Sequence, residues 1–159
     1  MDLRKARIIT AMTTPFNEKG LVDYEQLEKL INFLLKNGTE GLVVGGTTGE
    51  SPTLAHEEKI ALYRKTVELT AGRVPIIAGT GSFNTAETIA FTKEVEAISG
   101  IDAALVVVPY YSKPNQAGIY AHFEAVAAST TLPIIIYNVP GRTSVSIDPK
   151  TTIKLSTIK

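Results

Sequence analysis

Three short segments contain residue types that suit the binding of a carboxylate or the transfer of a proton. In the first, Gly45–Ser51, paired glycines allow a ligand to approach the backbone closely. The adjacent hydroxyls of Thr47 and Thr48, with the nearby N–H groups, suit a carboxylate ligand. The segment lacks the Gly–Lys–Ser/Thr ending of a Walker phosphate loop. A tight turn with a Ser/Thr helix cap is the alternative interpretation.

The other two segments are rich in tyrosine. Tyr110 and Tyr111 are adjacent in the proline-bracketed segment Pro109–Pro114, and they cannot both point the same way. One suits a site and the other an interface, because tyrosine joins a large apolar face to a phenol; plain loop packing is the alternative. Tyr137, five residues before Arg142, gives a proton donor beside a cation for a carboxylate. A structural salt bridge is the competing interpretation for Arg142.

Composition excludes several other kinds of chemistry. The chain has no cysteine, and His56 and His122 are not in ligand spacing, so disulfides, a thiol nucleophile and a metal site are not expected. We expect His56 on the surface and His122 packed within an apolar helix. Lys plus Arg number 16 and Asp plus Glu number 16, without the basic excess of a nucleic-acid binder. Met1–Ile9 does not resemble a signal peptide and no apolar run matches a membrane span, so a soluble cytoplasmic protein is expected.

Each of these three segments follows a short apolar run that is typical of a buried parallel strand. Five short runs, mostly rich in Val and Ile and without polar alternation, fit strands covered on both faces. They are Ile8–Met12, Leu42–Val44, Ile76–Ala78, Ala104–Val108 and Ile134–Tyr137. Gly79–Thr80–Gly81, after the third, begins like a dinucleotide fingerprint but has Asn84 where the third glycine belongs. We interpret it as a βα turn.

Helical periodicity fills the intervals between the strands. The apolar positions of the first interval fall at helical spacing, namely Leu27, Leu30, Ile31, Leu34 and Leu35. N-caps are predicted at Asp23, Asn84 and Asp148, with Gln26 and Glu87 as capping-box partners and Pro149 at a first helical position. Glycines suited to a positive φ follow three helices, at Gly38, Gly72 and Gly100.

Alternating strands and helices leave two architectures. The strands begin near residues 8, 42, 76, 104 and 134, a period of about 30 residues, and a closed eight-fold barrel needs about 250. We favour a (β/α)8 barrel of which this chain supplies about the first five βα units. An open five-stranded sheet, complete in itself, is the alternative. In both, chemistry lies at the carboxyl ends of the strands.

Four motifs together carry a resemblance to a known family. They are "TTPF" at Thr13–Phe16, "GGTTGESPTL" at Gly45–Leu54, "VPYYSKP" at Val108–Pro114 and "YNVPGRT" at Tyr137–Thr143. In this order and spacing the chain resembles the dihydrodipicolinate synthase family from about residue 8 to residue 159. The resemblance implies a (β/α)8 barrel, with residues 1–159 as the N-terminal part of a single barrel domain and the remainder absent from this chain.

The resemblance also implies an activity and residue roles. Family members condense pyruvate with aspartate-semialdehyde on the route to diaminopimelate and lysine. Thr47 corresponds to the hydroxyl that links two tyrosines in a proton relay, and Thr48 to the neighbour that helps hold the pyruvate carboxylate. Tyr137 corresponds to the proton-shuttling tyrosine, and Tyr111 to the tyrosine that reaches across a dimer interface. Arg142 corresponds to the arginine that binds the semialdehyde carboxylate.

The chain departs from the family at the nucleophile. Family members form a Schiff base between pyruvate and a lysine on the sixth strand, so no metal or organic cofactor is implied. That lysine is expected about six residues beyond Lys159, which itself aligns with the loop before the strand. The other lysines considered fall on predicted helices rather than at strand ends, namely Lys29, Lys36, Lys65 and Lys93.

The resemblance distinguishes this chain from two related groups. N-acetylneuraminate lyases and other pyruvate-dependent aldolases share the barrel and the Schiff base but generally lack an arginine at the position of Arg142. Relatives that lysine inhibits carry a small residue, a histidine and an amide where this chain has Pro52, Lys59 and Phe83. Weak or absent inhibition by lysine is therefore expected, in a homodimer or homotetramer with Tyr111 at the interface.

Two other classes of function stay open from the sequence. A non-catalytic half-barrel would expose two sheet edges and apolar helix flanks, and it would assemble with itself or with a complement. An open-sheet protein would use Thr47, Thr48 and Arg142 to bind a small carboxylate. A strand reading like "IIGIK" beyond Lys159 would favour the enzyme over both.

Overall fold

The five predicted strands are all present, each within one residue of the predicted bounds. The computed structural model describes residues 3–158, so the interpretation of Lys159 lies outside this range. The strands are β1 Ile9–Ala11, β2 Gly41–Val44, β3 Ile76–Gly79, β4 Ala103–Val107 and β5 Ile134–Tyr137. The helices are α1 Tyr24–Lys36, α2 His56–Thr70, α3 Thr85–Glu96, α4 Gln116–Ala127, α5 Pro140–Thr143 and α6 Pro149–Leu155.

The chain divides into two compact units. The first unit runs to Gly79 and also takes in Ile98–Asp102. The second holds Thr80–Ala97 and the described residues from Ala103 onward. Each unit contains parallel strands, crossover helices and its own buried apolar residues.

In the first unit β2 pairs in parallel with both β1 and β3. Leu42 pairs with Thr10 on one side and with Ile76 on the other. β2 and β3 are almost wholly buried, as expected for Val- and Ile-rich strands covered on both faces. β1 is different, because Ile9 is 38% exposed and β1 pairs only with β2 among the described strands. β1 therefore has an uncovered edge.

In the second unit β4 pairs in parallel with β5, with Val107 opposite Tyr137. An apolar core forms between this pair and α4 and α6, from Ala104, Val106, Val108, Ile119, Phe123, Val126, Ile147 and Leu155. All four residues of β5 are only half-buried. Ile134 and Ile136 line an apolar groove of about 450 Å³ beside Phe123 and Leu155.

The helix starts are partly as predicted. Asp23 Oδ1 accepts from Glu25 N and Gln26 N at 3.0 Å, and Asn84 Oδ1 accepts from Ala86 N at 3.0 Å. The capping-box partners are wrong: Gln26 makes no reciprocal bond within the described residues. Glu87 instead accepts from the Ser82 hydroxyl, which itself accepts from Asn84 N.

The start of the last helix differs from the prediction in one respect, whereas the predicted glycine conformations are observed. Asp148 occupies the N-cap position of α6, with Pro149 first in the helix, but its side chain makes no cap bond. The glycines predicted at positive φ are confirmed at Gly38, Gly72 and Gly100. No described helix is both long and apolar enough to cross a membrane.

His122 is buried on α4 with half of its hydrogen-bonding capacity unused. It is 4% exposed and its Nδ1 lies 2.9 Å from Thr85 Oγ1. Its Nε2 has no hydrogen-bond partner among the described residues. A protonated imidazole has two N–H donors, so the charged form would carry one buried donor without an acceptor. Burial accordingly lowers the pKa of His122 to about 4.

Stability should therefore fall on mild acidification. Between pH 6.5, the ordinary pKa of histidine, and about 4, the unfolded chain binds a proton at residue 122 that the folded chain does not. The free energy of unfolding from this group consequently decreases as the pH falls through this window. His122→Gln should flatten the dependence in urea unfolding measured from pH 7 to 4. Equal slopes for wild type and His122→Gln would contradict the assignment.

Candidate active site

The loop that follows β2 is held by its own backbone and by glycine. Gly45 has φ +63°, and a Cβ there would lie 2.7 Å from Cε1 of the buried Tyr63 ring, so only glycine fits. Gly49 N donates to Gly46 O at 3.1 Å, and Ser51 N donates to the same oxygen at 3.3 Å. These bonds fold Gly45–Ser51 into a closed turn at the carboxyl end of β2.

A second anchor comes from Thr14, which the sequence reasoning placed in a motif but gave no role. Its buried hydroxyl donates to Gly49 O at 2.7 Å. A Cβ on Gly49 would lie 3.1 Å from Thr14 Oγ1 and 3.2 Å from Met12 O. A side chain at 49 would therefore fit only tightly, and the hydrogen bond from Thr14 joins the turn to the chain that follows β1.

Thr47 and Thr48 project from this turn with different environments. Thr47 is half-buried and has a polar partner, whereas Thr48 is exposed. Neither caps α2, because that helix starts at His56, and the Ala55 N–H is satisfied by Glu58 Oε2 at 2.8 Å. Of the alternative interpretation, the tight turn is confirmed and the Ser/Thr helix cap is wrong, and the exposed hydroxyl of Thr48 suits a carboxylate.

In the second unit the two tyrosines after β4 differ in exposure. Tyr110 is half-buried and its ring packs edge-on against Phe83, with ring centroids 5.4 Å apart. Tyr111 is 88% exposed and adopts φ +66°, a conformation that costs a side-chain-bearing residue about 1 kcal/mol. The Tyr111 ring also lies beside Phe83, with ring centroids 6.4 Å apart, so both tyrosines contact one ring and differ in how much of the side chain is exposed.

The end of β5 and the helix that follows it carry a phenol and a guanidinium five residues apart in the sequence. Tyr137 is the last residue of β5, is half-buried, and its carbonyl accepts from Val108 N at 3.0 Å. Arg142 lies exposed in the one-turn helix α5. No ion pair among the described residues involves Arg142, so the structural salt bridge proposed as its alternative role is not formed.

Side chains that the sequence reasoning missed hold this segment in place. Gln116, at the start of α4, donates to Ser146 O at 2.9 Å and accepts from Asp148 N at 3.0 Å. Asn138 Oδ1 accepts from Ile147 N at 3.3 Å. Gln116 lies 30 and 32 residues from its two partners in the sequence. No local pattern indicates such bonds, so only the folded chain shows them.

The predicted site residues are divided between the two units. Thr47 and Thr48 lie in the first, while Tyr111, Tyr137 and Arg142 lie in the second, all at or after the carboxyl ends of parallel strands. The lysines considered earlier lie on helices, as predicted, and Lys65 pairs with Glu68 at 2.7 Å. Burial lowers the pKa of Lys59, but it too lies on a helix, α2. No three His, Asp or Glu side chains of residues 3–158 are grouped to hold a metal ion.

Parallel strands alternating with helices, with hydroxyl, phenol and guanidinium groups after the strands, define an α/β protein with a strand-end site. A family model described as the dihydrodipicolinate synthetase family matches residues 4–159. The 4-hydroxy-tetrahydrodipicolinate synthase of Listeria welshimeri is 60% identical over 157 residues, which cover 98% of this chain and 53% of the relative. The chain belongs to the dihydrodipicolinate synthetase family, as the four motifs predicted.

Solved relatives confirm the fold class. A crystal structure of dihydrodipicolinate synthase from Bacillus anthracis is 53% identical with a TM-score of 0.94, covering 97% of this chain and 52% of that one. The enzyme from Acinetobacter baumannii, solved in complex with pyruvate, is 44% identical with a TM-score of 0.93, covering 95% of this chain and 52% of its own. The fold is that of the (β/α)8 TIM barrel, and this chain spans about half the length of these relatives.

The contact between Gly45 and Tyr63 can be tested against a matched glycine. Gly72 has φ +68°, close to the φ of Gly45, but a Cβ there would meet nothing within 4 Å. Gly72→Ala should therefore cost about 1 kcal/mol of unfolding free energy, from backbone strain alone. Gly45→Ala should cost about 3 kcal/mol, because the methyl group also collides with the buried ring. Equal losses in urea unfolding would show that the ring does not constrain the turn.

Proposed function

We propose that this chain is the N-terminal part of a 4-hydroxy-tetrahydrodipicolinate synthase. The reaction condenses pyruvate with L-aspartate-4-semialdehyde through a lysine Schiff base to give 4-hydroxy-tetrahydrodipicolinate, in the biosynthesis of diaminopimelate and lysine. The observation that carries the proposal is the set of strand-end groups, in a chain 60% identical to a protein with that name. The pyruvate complex of the Acinetobacter baumannii relative supports the choice of keto acid.

The residue roles follow from the family resemblance and suit the observed environments. Exposed Thr48, with its neighbouring amides, would hold the pyruvate carboxylate, and exposed Arg142 would hold the carboxylate of the semialdehyde. Thr47, Tyr137 and Tyr111 would form the proton relay, with Tyr111 supplied to a second copy of the chain. An unperturbed phenol has a pKa near 10, so a hydrogen-bonded chain is needed for it to move protons at neutral pH. The 88% exposure of Tyr111 supports the transfer to a partner.

The nucleophile is proposed to come from the part of the barrel that this chain lacks. The described lysines lie on helices or in loops rather than in β1–β5. β5 is half-buried on every residue and flanks an apolar groove of about 450 Å³, and β1 has an uncovered edge. Further strands and helices of a closed barrel would cover these surfaces and provide the Schiff-base lysine. Weak inhibition by lysine stays a prediction.

Trapping of the imine tests this assignment. The 17.1 kDa chain, incubated with pyruvate and borohydride, should give no reduced adduct in an intact mass spectrum, because it lacks the expected amine. The full-length protein that carries this sequence should be labelled under the same conditions. An adduct on the 17.1 kDa chain would contradict the location of the nucleophile, and no adduct on either protein would contradict the proposed Schiff-base activity.

Arg142 distinguishes the synthase from other pyruvate-dependent aldolases. In the full-length protein, Arg142→Ala should lower kcat/KM for aspartate-semialdehyde by about 100-fold, the cost of a lost charge-assisted pair. KM for pyruvate should stay close to the wild-type value. Arg64→Ala, which removes an equal charge from the exposed side of α2, is the matched control and should have no effect. An equal loss toward both substrates would contradict the assigned role.

A further inference from the structure

The motif Thr13–Phe16 has no role among the groups proposed to act on substrate, yet one of its hydroxyls is bonded to the turn that carries Thr47 and Thr48. Thr14 is 5% exposed, and its Oγ1 donates to Gly49 O at 2.7 Å. Gly49 is also buried and directly follows Thr48. A threonine hydroxyl thus joins the loop after β1 to the loop after β2, across 35 residues of sequence.

The chain on both sides of Thr14 is itself fixed by backbone hydrogen bonds. Before it, Met12 N donates to Val43 O of β2 at 3.1 Å, and after it, Pro15 O accepts from Asp23 N at 2.9 Å. A proline also disfavours the helical conformation at the residue before it, here Thr14. Thr14 therefore lies in a fixed segment and can act as an anchor for the turn.

The bond from Thr14 fixes one particular peptide group of the turn. The carbonyl of Gly49, which accepts from Thr14, and the N–H of Glu50 belong to the same planar peptide unit, so holding the first orients the second. Glu50 N donates to Thr47 O at 3.1 Å. This single peptide group therefore connects the hydroxyl of Thr14 to the backbone of Thr47.

The conformation that this peptide group enters is an unfavourable one. Glu50 has φ +57°, in the left-handed region that a residue with a side chain adopts only at a cost. A rotation of the Gly49–Glu50 peptide would break both the bond from Thr14 and the bond to Thr47. The hydroxyl of Thr14 thus opposes the relaxation that Glu50 would otherwise favour.

We propose that Thr14 is a positioning residue that holds the Gly49–Glu50 peptide, and through it the Thr47–Thr48 turn, in the geometry needed to bind the pyruvate carboxylate. The hydrogen bond concerns the first unit alone, whereas its consequence for the reaction rests on the proposed function. A valine would have nearly the same shape, so the hydroxyl contributes its bond rather than its volume. Without that bond the buried carbonyl of Gly49 would face a methyl group.

Four variants of the full-length protein test the proposal. Thr14→Val and Thr14→Ala remove the hydroxyl, and Thr14→Ser retains it. Thr39→Val is the matched control, because Thr39 is also buried and its hydroxyl lies 3.0 Å from Gly41 O and 2.6 Å from Thr10 Oγ1. It removes a comparable hydroxyl from the same unit, at the opposite end of β2.

The expected result combines a local and a kinetic change. In hydrogen exchange followed by mass spectrometry, Thr14→Val and Thr14→Ala should each speed exchange of residues 45–54 by about tenfold, the equivalent of one lost hydrogen bond. KM for pyruvate should rise by about the same factor, while KM for aspartate-semialdehyde stays unchanged. Thr14→Ser should keep both the exchange rates and the KM for pyruvate near the wild-type values.

The control shows what a merely structural bond would do. Thr39→Val should lower the unfolding temperature as Thr14→Val does, but leave the exchange of residues 45–54 and both KM values unchanged. The same loss of pyruvate binding in Thr39→Val as in Thr14→Val would contradict a specific role for Thr14.

The possible failures are distinguishable. Wild-type exchange rates at 45–54 in Thr14→Val and Thr14→Ala would overturn the proposal, whatever the activity. If the wild-type full-length protein had no synthase activity, the proposed function would fail, and the exchange data would still decide whether Thr14 holds the turn. Faster exchange with an unchanged KM for pyruvate would overturn the catalytic part. If Thr14→Val does not fold, the comparison of Thr14→Ala with Thr14→Ser decides, and equal effects of these two would overturn the role of the hydroxyl.

Discussion

Parallel strand pairing is the constraint on which the other features depend. A parallel pair needs a crossover of a dozen or more residues, and here each crossover contains a helix that covers one face of the strands. Within each unit the carboxyl ends of the paired strands therefore come to one edge, and the loops that leave this edge contain the polar side chains. The predicted site residues lie at the last position of a strand or up to five positions beyond it, which places them at that edge.

The close approach of backbone segments determines how the loop after β2 is held. The end of β3 approaches the start of the turn after β2 so closely that a Cβ on Gly79 would collide with the carbonyl of Gly45. Glycine at both positions lets the chain pass, and the ring of Tyr63 occupies the space behind Gly45. By contrast, the segment after β5 is held by side chains, through Gln116 and Asn138. The first unit thus fixes its loop by backbone packing and the hydroxyl of Thr14, and the second by the side-chain amides of Gln116 and Asn138.

The sequence predicted those features that depend on local pattern. Strand bounds, the N-caps at Asp23 and Asn84 and the glycines at positive φ depend on residues adjacent in the chain, and they were predicted closely. Tyr63, Thr14 and Gln116 were missed because their partners lie 16 to 35 residues away. The capping-box partner Glu87 was wrong for a different reason, since the nearby hydroxyl of Ser82 donates to its carboxylate. The predicted site residues rest on the combination of four motifs, and their roles stay a prediction.

The first unit includes a segment from later in the chain, and this order has a consequence for folding during synthesis on the ribosome. Its last piece is Ile98–Asp102, and Asp102 bonds β3 twice, its amide donating to Ile76 O at 2.8 Å and its carboxylate accepting from Ile76 N at 2.9 Å. These bonds cannot form until residue 102 has emerged, by which time all of α3 has been translated. Since chains fold from the N-terminus during synthesis, the first unit has to wait for a segment that lies beyond a helix of the second. Translation speed across residues 80–102 therefore bears on how long the nascent β3 lacks these bonds.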